Sequence, residues 1–248
     1  MFEKGSLIPY FTAGDPSKKD TLEFLLAVED LVGAIELGIP FSDPIADGPT
    51  IQKSHYRALK NGFRLEDAFD IVRNFRKHSD KPIVLMTYYN PVYRTGLRRF
   101  IEKAKDAGVD GMLIVDLPVL HSQEFVNVAR EEGMKTVFLA APNTPDERLR
   151  EIDRVTTGFV YLISLYGTTG ARERIPETAF NLLKRARKIC RNKLAVGFGV
   201  SKREHVKMLL EAGADGVVVG SALIKIIENG GGSKEIREKV KELAIDWP

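Results

Sequence analysis

Ile35-Glu-Leu-Gly-Ile-Pro-Phe-Ser-Asp-Pro-Ile-Ala-Asp-Gly48 begins as an apolar β-type run and ends in a loop rich in Pro, Asp and Gly. The run carries one carboxylate, Glu36, and the loop carries a second, Asp47. An ionised side chain inside a strand costs several kcal/mol unless it is paired, hydrogen-bonded or neutralised. A strand that tolerates Glu36 therefore points to use of that group. A short apolar strand that opens into a chemistry-bearing loop is also one unit of a β/α repeat, and the pattern recurs along the chain.

Outward from this stretch, the spacing predicts strands near Leu7–Thr12, Ala34–Ile39, Ile83–Tyr88, Gly111–Val115, Thr136–Ala140, Phe159–Ser164, Leu194–Gly199 and Gly216–Gly220. Amphipathic segments lie between them, among them Lys19–Leu31, Leu65–Lys77, Leu97–Ala107, Ser122–Glu132, Glu177–Ile189 and Arg203–Ala212. In Leu97–Ala107, Phe100, Ile101 and Ala104 form an apolar stripe while Arg98, Glu102 and Lys105 face water. Gly108, Gly133 and Gly213 follow helical patterns where a left-handed residue is wanted. Strict β-α alternation implies parallel strands buried on both faces, hence near-continuous apolar runs. Eight units predict an α/β protein, a single (β/α)8 barrel domain over residues 1–248. An open doubly wound sheet is the alternative, disfavoured because no dinucleotide glycine fingerprint follows the first strand.

The 248 residues are 44% hydrophobic and 29% charged, enough for a large core. The net charge of +3 is mild, and Lys and Arg alternate with Asp and Glu on helical faces. Nucleic acid is not implied; a modest bias toward small anions is. No apolar run approaches a membrane span, and the start lacks a long apolar leader region. The single Cys190 excludes an intrachain disulfide and a multi-cysteine metal site, and a cytoplasmic setting is expected. Glutamine occurs only at positions 52 and 123 against abundant Lys, Arg and Glu, a balance common in hyperthermophile proteins.

In barrels of this kind the chemistry sits at the C-terminal ends of the strands. There, Glu36 is the one ionisable group expected inside a strand, with Asp116 just past the fourth. Lys81, Lys135 and Lys193 are expected to precede strands on the opposite face. No lysine stands where a Schiff base would need it, and His55, His78, His121 and His205 show no paired metal-ligand spacing. General acid/base chemistry by carboxylates remains. A structural pairing of Glu36 with a distant Arg or Lys is the bland alternative. Asp47 could be a simple turn former, as Asp43-Pro44 is expected to be. Tyr161 reads equally as a core aromatic with its hydroxyl satisfied or as a catalytic group, and a phenol bonded to Glu36 would reconcile the two. Phe11 and Phe198 could pack in the core or line a slot for an aromatic ring. Glycine-bearing turns follow the last three strands, and Gly199, Gly220 and the helix start at Ser221 suit a phosphate. Gly170 lies in a longer loop, 165–176, with Arg172 and Arg174, which could close over substrate. That loop and the Pro44–Ser54 region are expected to order when ligand or partner binds.

The 14-residue stretch matches without a mismatch the motif of the tryptophan synthase α-subunit family, which the whole chain resembles. Tyr10-Phe-Thr-Ala-Gly-Asp-Pro16, Ala141-Pro-Asn143, Tyr161-Leu-Ile-Ser164, Gly167-Thr-Thr-Gly170, Gly197-Phe-Gly-Val200 and Val219-Gly-Ser221 fall where that family has its corresponding segments. The resemblance implies retro-aldol cleavage of indole-3-glycerol phosphate to indole and glyceraldehyde 3-phosphate, without a cofactor. It implies Glu36 as the acid/base, Asp47 as the carboxylate on the indole N–H, and Tyr161 beside the catalytic Glu. Gly170, Gly199, Gly220 and Ser221 would cradle the phosphate; Phe198 would contact indole, with Phe11 a further candidate. It also implies a pyridoxal-phosphate-bearing β subunit as partner in an α2β2 assembly. Two departures stand out. The first strand begins almost at once, where many relatives have an extra helix under the barrel floor, so floor coverage is in question. Leu165 stands where an arginine is often found. A sugar-phosphate isomerase on the same scaffold and a non-catalytic regulatory subunit are the competing readings.

Overall fold

The structure is a computed structural model that describes residues 1–164, 175–245 and 247. Eight parallel strands close a barrel in chain order: β1 (Ser6–Thr12), β2 (Ile35–Gly38), β3 (Ile83–Thr87), β4 (Gly111–Ile114), β5 (Lys135–Ala140), β6 (Phe159–Ile163), β7 (Lys193–Gly197) and β8 (Gly216–Val219). The helices are α1 (Lys18–Val28), α2 (Pro49–Lys60), α3 (Leu65–Phe75), α4 (Tyr89–Thr95), α5 (Leu97–Ala107), α6 (Gln123–Glu131), α7 (Asp146–Val155), α8 (Glu177–Ile189), α9 (Arg203–Glu211), α10 (Ser221–Glu228) and α11 (Ser233–Leu243). The expected (β/α)8 barrel forms. Pairing of β1 with β8, Ser6↔Gly216 through Pro9↔Val219, rules out the open sheet.

Local chemistry sets the element ends. The Ser17 side chain caps α1 by accepting the Asp20 N–H. Pro49 occupies the first turn of α2, where its missing N–H costs nothing. Gly108, Gly133 and Gly213 take φ of 99°, 67° and 107°, as expected for residues that stop helices. β7 ends at Gly197, two residues short of the expected end, because Gly199 turns the chain at φ 76°. Lys135 and Lys193 are the first residues of β5 and β7 rather than the residues before them. Both remain exposed on the face opposite the strands' C-terminal ends.

The barrel floor is closed by Met1 and Phe2. Gly111 and Gly158 leave room for the Met1 side chain and Gly216 for the Phe2 ring; a Cβ at any of the three would come within 2.8 Å. Phe2 meets Phe159 edge-on at 5.3 Å, and the Lys193 ammonium lies 5.5 Å from the Phe2 ring centre. The Lys193 ammonium also donates to the Phe2 carbonyl. Residues 165–174, with Gly170, Arg172 and Arg174, lie outside the described residues.

The core is split between barrel interior and strand–helix layer. Phe11 is fully buried and stacks on Phe24 of α1 at 6.0 Å, so it belongs to the outer layer. Phe11→Ala is expected to cost about 3–5 kcal/mol through the cavity it leaves, read as a lower denaturant midpoint at unchanged slope. A loss below about 1 kcal/mol would contradict this packing role.

Candidate active site

Strand alternation decides which side chains meet. Tyr10 of β1 pairs with Glu36 of β2, and Phe11 pairs with Leu37. Side chains at paired positions share a face, so Tyr10 and Glu36 point into the barrel while Phe11 and Leu37 point at the helices. At the C-terminal end of the barrel they line a cavity of about 780 Å³, including its open mouth. Asp47 and Tyr161 line it too, as do Gly199, Gly220 and Ser221 beyond the ends of β7 and β8. Much of the remaining wall is apolar, with Ile51, Met86, Val115 and Leu139 among its residues. The sequence expectations for Glu36, Asp47, Tyr161, Gly199, Gly220 and Ser221 thus converge on one space.

Glu36 is 1% exposed, and among the described residues neither of its carboxyl oxygens accepts a hydrogen bond. The Tyr161–Glu36 hydrogen bond that would have reconciled the two readings of Tyr161 is therefore not formed. Burial, with a smaller push from the Asp47 charge, raises the Glu36 carboxyl from 4.5 to about 8. It is a neutral acid at pH 7. Tyr161 faces Glu36, Asp47 and Tyr10, and its phenol is held well above its usual range, chiefly by burial.

Asp47 differs because its place on the loop brings it within reach of partners from other elements. The Tyr88 hydroxyl donates to Asp47 Oδ2 at 2.6 Å and accepts the Ala46 N–H at 3.1 Å. Phe41 stacks on the Tyr88 ring at 4.9 Å, and Gln52 Nε2 donates to the Asp47 carbonyl at 2.8 Å. Burial raises the Asp47 carboxyl from 3.8 to about 6, with the Tyr88 bond holding it down. At pH 7 this carboxylate is ionised beside a neutral one. His55 Nε2 lies 3.9 Å from Asp47 Oδ2, but burial lowers the imidazole from 6.5 to about 4. The ring is neutral, so this is a polar contact and not an ion pair. Arg57 of α2 forks onto the buried Asp15 carboxylate at 2.9 and 2.7 Å, tying α2 to the loop after β1.

Two expectations are corrected here. Phe11 points away from the cavity, and Phe198 is fully buried and absent from its lining, which its neighbours Gly197 and Gly199 do reach. The apolar lining comes instead from aliphatic residues together with the rings of Tyr10 and Tyr161. Asp116, at the end of β4, accepts the Tyr89 N–H at 2.6 Å and starts a helix. Sequence reasoning missed Tyr10, Tyr88 and His55 as parts of the site. Tyr10 joins the site through its register with Glu36, which the sequence does not show, and nothing local marks the other two. Among the described residues no group of three or more His, Cys, Asp or Glu is placed to hold a metal ion.

The proton on Glu36 has a consequence for stability. The folded protein binds it more tightly than the unfolded chain, so its contribution is full below pH 4.5 and is lost as pH rises through about 8. Glu36→Gln, permanently neutral, is expected to match the parent near pH 4. Above pH 8 it should exceed the parent by on the order of a few kcal/mol. Denaturant titrations at both pH values check this; equal stability of the two proteins at pH 9 would contradict it.

Comparison with known proteins agrees with this geometry. A family model described as tryptophan synthase alpha chain matches residues 2–246. The tryptophan synthase alpha chain of Pyrococcus abyssi is 78% identical over 246 residues, covering 98% of this chain and 99% of the relative. That of Thermococcus kodakarensis is 71% identical over 245 residues, covering 98% of each. A solved structure from the tryptophan synthase α2β2 complex of Pyrococcus furiosus superposes with a TM-score of 0.95 at 70% identity, covering 98% of this chain and 99% of that one. A motif match, a closed barrel and whole-length identity agree: the chain belongs to the tryptophan synthase alpha chain family.

Proposed function

We propose that Glu36 and Asp47 are the acid/base and electrostatic pair with which this carbon–carbon lyase cleaves indole-3-glycerol phosphate to indole and glyceraldehyde 3-phosphate. The observation that carries the assignment is the contrast between two buried carboxyls in one cavity, Glu36 without a hydrogen-bond partner among the described residues and Asp47 held by the Tyr88 hydroxyl. Indole is a poor carbanion leaving group, so C3 must gain a proton before the C–C bond can break. The neutral Glu36 acid supplies that proton. Positive charge then develops toward N1, where the Asp47 carboxylate accepts the N–H and stabilises it. The Glu36 carboxylate left behind takes the proton of the side-chain hydroxyl. The electron pair of the breaking C–C bond returns to the ring, and the aldehyde forms. Glu36 ends protonated, ready for another cycle.

Gly199, Gly220 and the start of α10 at Ser221 fit the phosphate, since backbone N–H groups at a helix N-terminus favour an anion. Gly170 belongs to the same proposed cradle but lies outside the described residues. Tyr161 is proposed to border the reacting centre. The aliphatic wall suits an indole ring and has no use in a sugar-phosphate isomerase. An unbonded buried carboxyl likewise has no use in a purely regulatory subunit. The α2β2 state of the Pyrococcus furiosus relative supports a β subunit as partner here, one that would receive the indole. A cytoplasmic setting is part of the proposal, and the buried free thiol of Cys190 suits a reducing compartment. Among the described residues no helix is long and apolar enough to cross a membrane.

Ultraviolet detection of indole tests the reading. Glu36→Gln is expected to lower turnover by roughly 10²–10⁴-fold; near parental turnover in a folded variant would overturn the assignment. Asp47→Asn should lower kcat far more than it weakens phosphate binding, and equal losses in both would count against its role. The profile of kcat/KM should be bell-shaped, falling below about pH 6 as Asp47 gains a proton and above about pH 8 as Glu36 loses its own.

A further inference from the structure

The buried polar groups behind Asp47 form a hydrogen-bond chain whose direction has one solution. The Ser54 hydroxyl donates to the Ile51 carbonyl at 2.7 Å, a group that can only accept. Ser54 Oγ must then accept from Thr12 at 2.6 Å, and Thr12 Oγ1 from the Tyr10 hydroxyl at 3.1 Å. Tyr10 has spent its one proton, so its oxygen accepts from His55 Nε2 at 3.2 Å. From the other end, the Phe41 N–H donates to His55 Nδ1 at 3.0 Å. A neutral imidazole that accepts at Nδ1 carries its proton on Nε2. Both ends of the chain require the same tautomer.

The position of the ring has consequences on two sides. Phe41 belongs to the loop that carries Asp47, so Nδ1 fastens that loop to α2. Nε2–H holds the Tyr10 phenol, whose ring lies across Gly38, where any Cβ would collide with it. The same Nε2–H faces Asp47 Oδ2 at 3.9 Å. The groups packed around the imidazole are Asp47 from the loop, Tyr10 from β1 and Tyr88 past β3, whose ring is edge-on at 6.5 Å. Because Tyr10 donates to Thr12, it has no proton to offer Glu36.

We propose that His55 is a positioning residue for indole-3-glycerol phosphate cleavage: Nδ1 anchors the Asp47 loop, and Nε2–H directs the Tyr10 phenol away from Glu36 while facing the Asp47 carboxylate. The proposal rests on the assignment of Asp47 as the indole N–H acceptor. It gives the one histidine of α2 a function distinct from metal binding and from direct acid/base catalysis.

The first test reads the tautomer without reference to activity. Nitrogen-15 NMR of the folded chain should show a protonated Nε2 and a bare Nδ1; a protonated Nδ1 overturns the proposal. The second uses His55→Asn, whose Oδ1 can still accept the Phe41 N–H but whose amide is too short to reach Tyr10. The acid limb of its kcat/KM profile should rise by about half a pH unit, a loss of roughly threefold at pH 5.5, with KM little changed at pH 7.5. The Asp47 carboxyl carbon should titrate higher by the same amount. His55→Ala, which releases the loop as well, should raise KM in addition. An unmoved acid limb and an unmoved Asp47 titration in His55→Asn would overturn the positioning role. If Asp47→Asn keeps full turnover while the tautomer and carbon titration behave as stated, the catalytic assignment fails and the positioning geometry stands.

Discussion

Removing a carboxyl group from water without giving it a partner is expensive, and the rest of this site is organised around that cost. Glu36 sits on an inward position of β2, enclosed by a parallel sheet with no polar groups to spare. The group meets the cost by keeping its proton near neutrality. A neutral acid is what protonation of an indole carbon requires. On the proposed assignment, the feature that makes the strand less stable is the one that makes it useful.

Asp47 shows how the same barrel holds a second carboxyl in the opposite state. It sits on a loop, where Tyr88 reaches the carboxyl from past β3 and Gln52 of α2 holds the backbone carbonyl of the same residue. One strong hydrogen bond is enough to keep it ionised at pH 7 despite burial. Two groups of one chemical type, eleven residues apart, are therefore given different proton affinities by their surroundings. The loop between them is not free to drift. His55 and Tyr88 grip its backbone at Phe41 and Ala46, and the Arg57–Asp15 fork fixes the helix that follows.

The opposite end of the barrel is closed by side chains rather than by an added element. Met1 and Phe2 fill spaces left by Gly111, Gly158 and Gly216, and Lys193 covers the Phe2 ring. The floor is tightly filled, and the cavity that holds Glu36 and Asp47 opens at the other end. That asymmetry leaves Glu36, Asp47 and the glycine turns after β7 and β8 together on one face.

The sequence by itself determined the barrel, the strand positions to within a residue or two, and the two carboxylates, because each leaves a local trace. Parallel strands are short apolar runs, helices repeat with their own period, and an acid inside a strand is conspicuous. The facing of Tyr10 and Phe11 left no such trace. A strand buried on both sides is apolar throughout, so its pattern has no phase, and only the pairing of Tyr10 with Glu36 across β1 and β2 turned Phe11 outward. Tyr88 and His55 were equally hidden. Each looks ordinary in its own segment and acquires meaning only when barrel closure brings β1, the loop after β2, α2 and the end of β3 together. Local periodicity decided which elements form; the register of the closed sheet decided which side chains share one cavity, because facing and contact are properties of neighbours in space and not of neighbours in the chain.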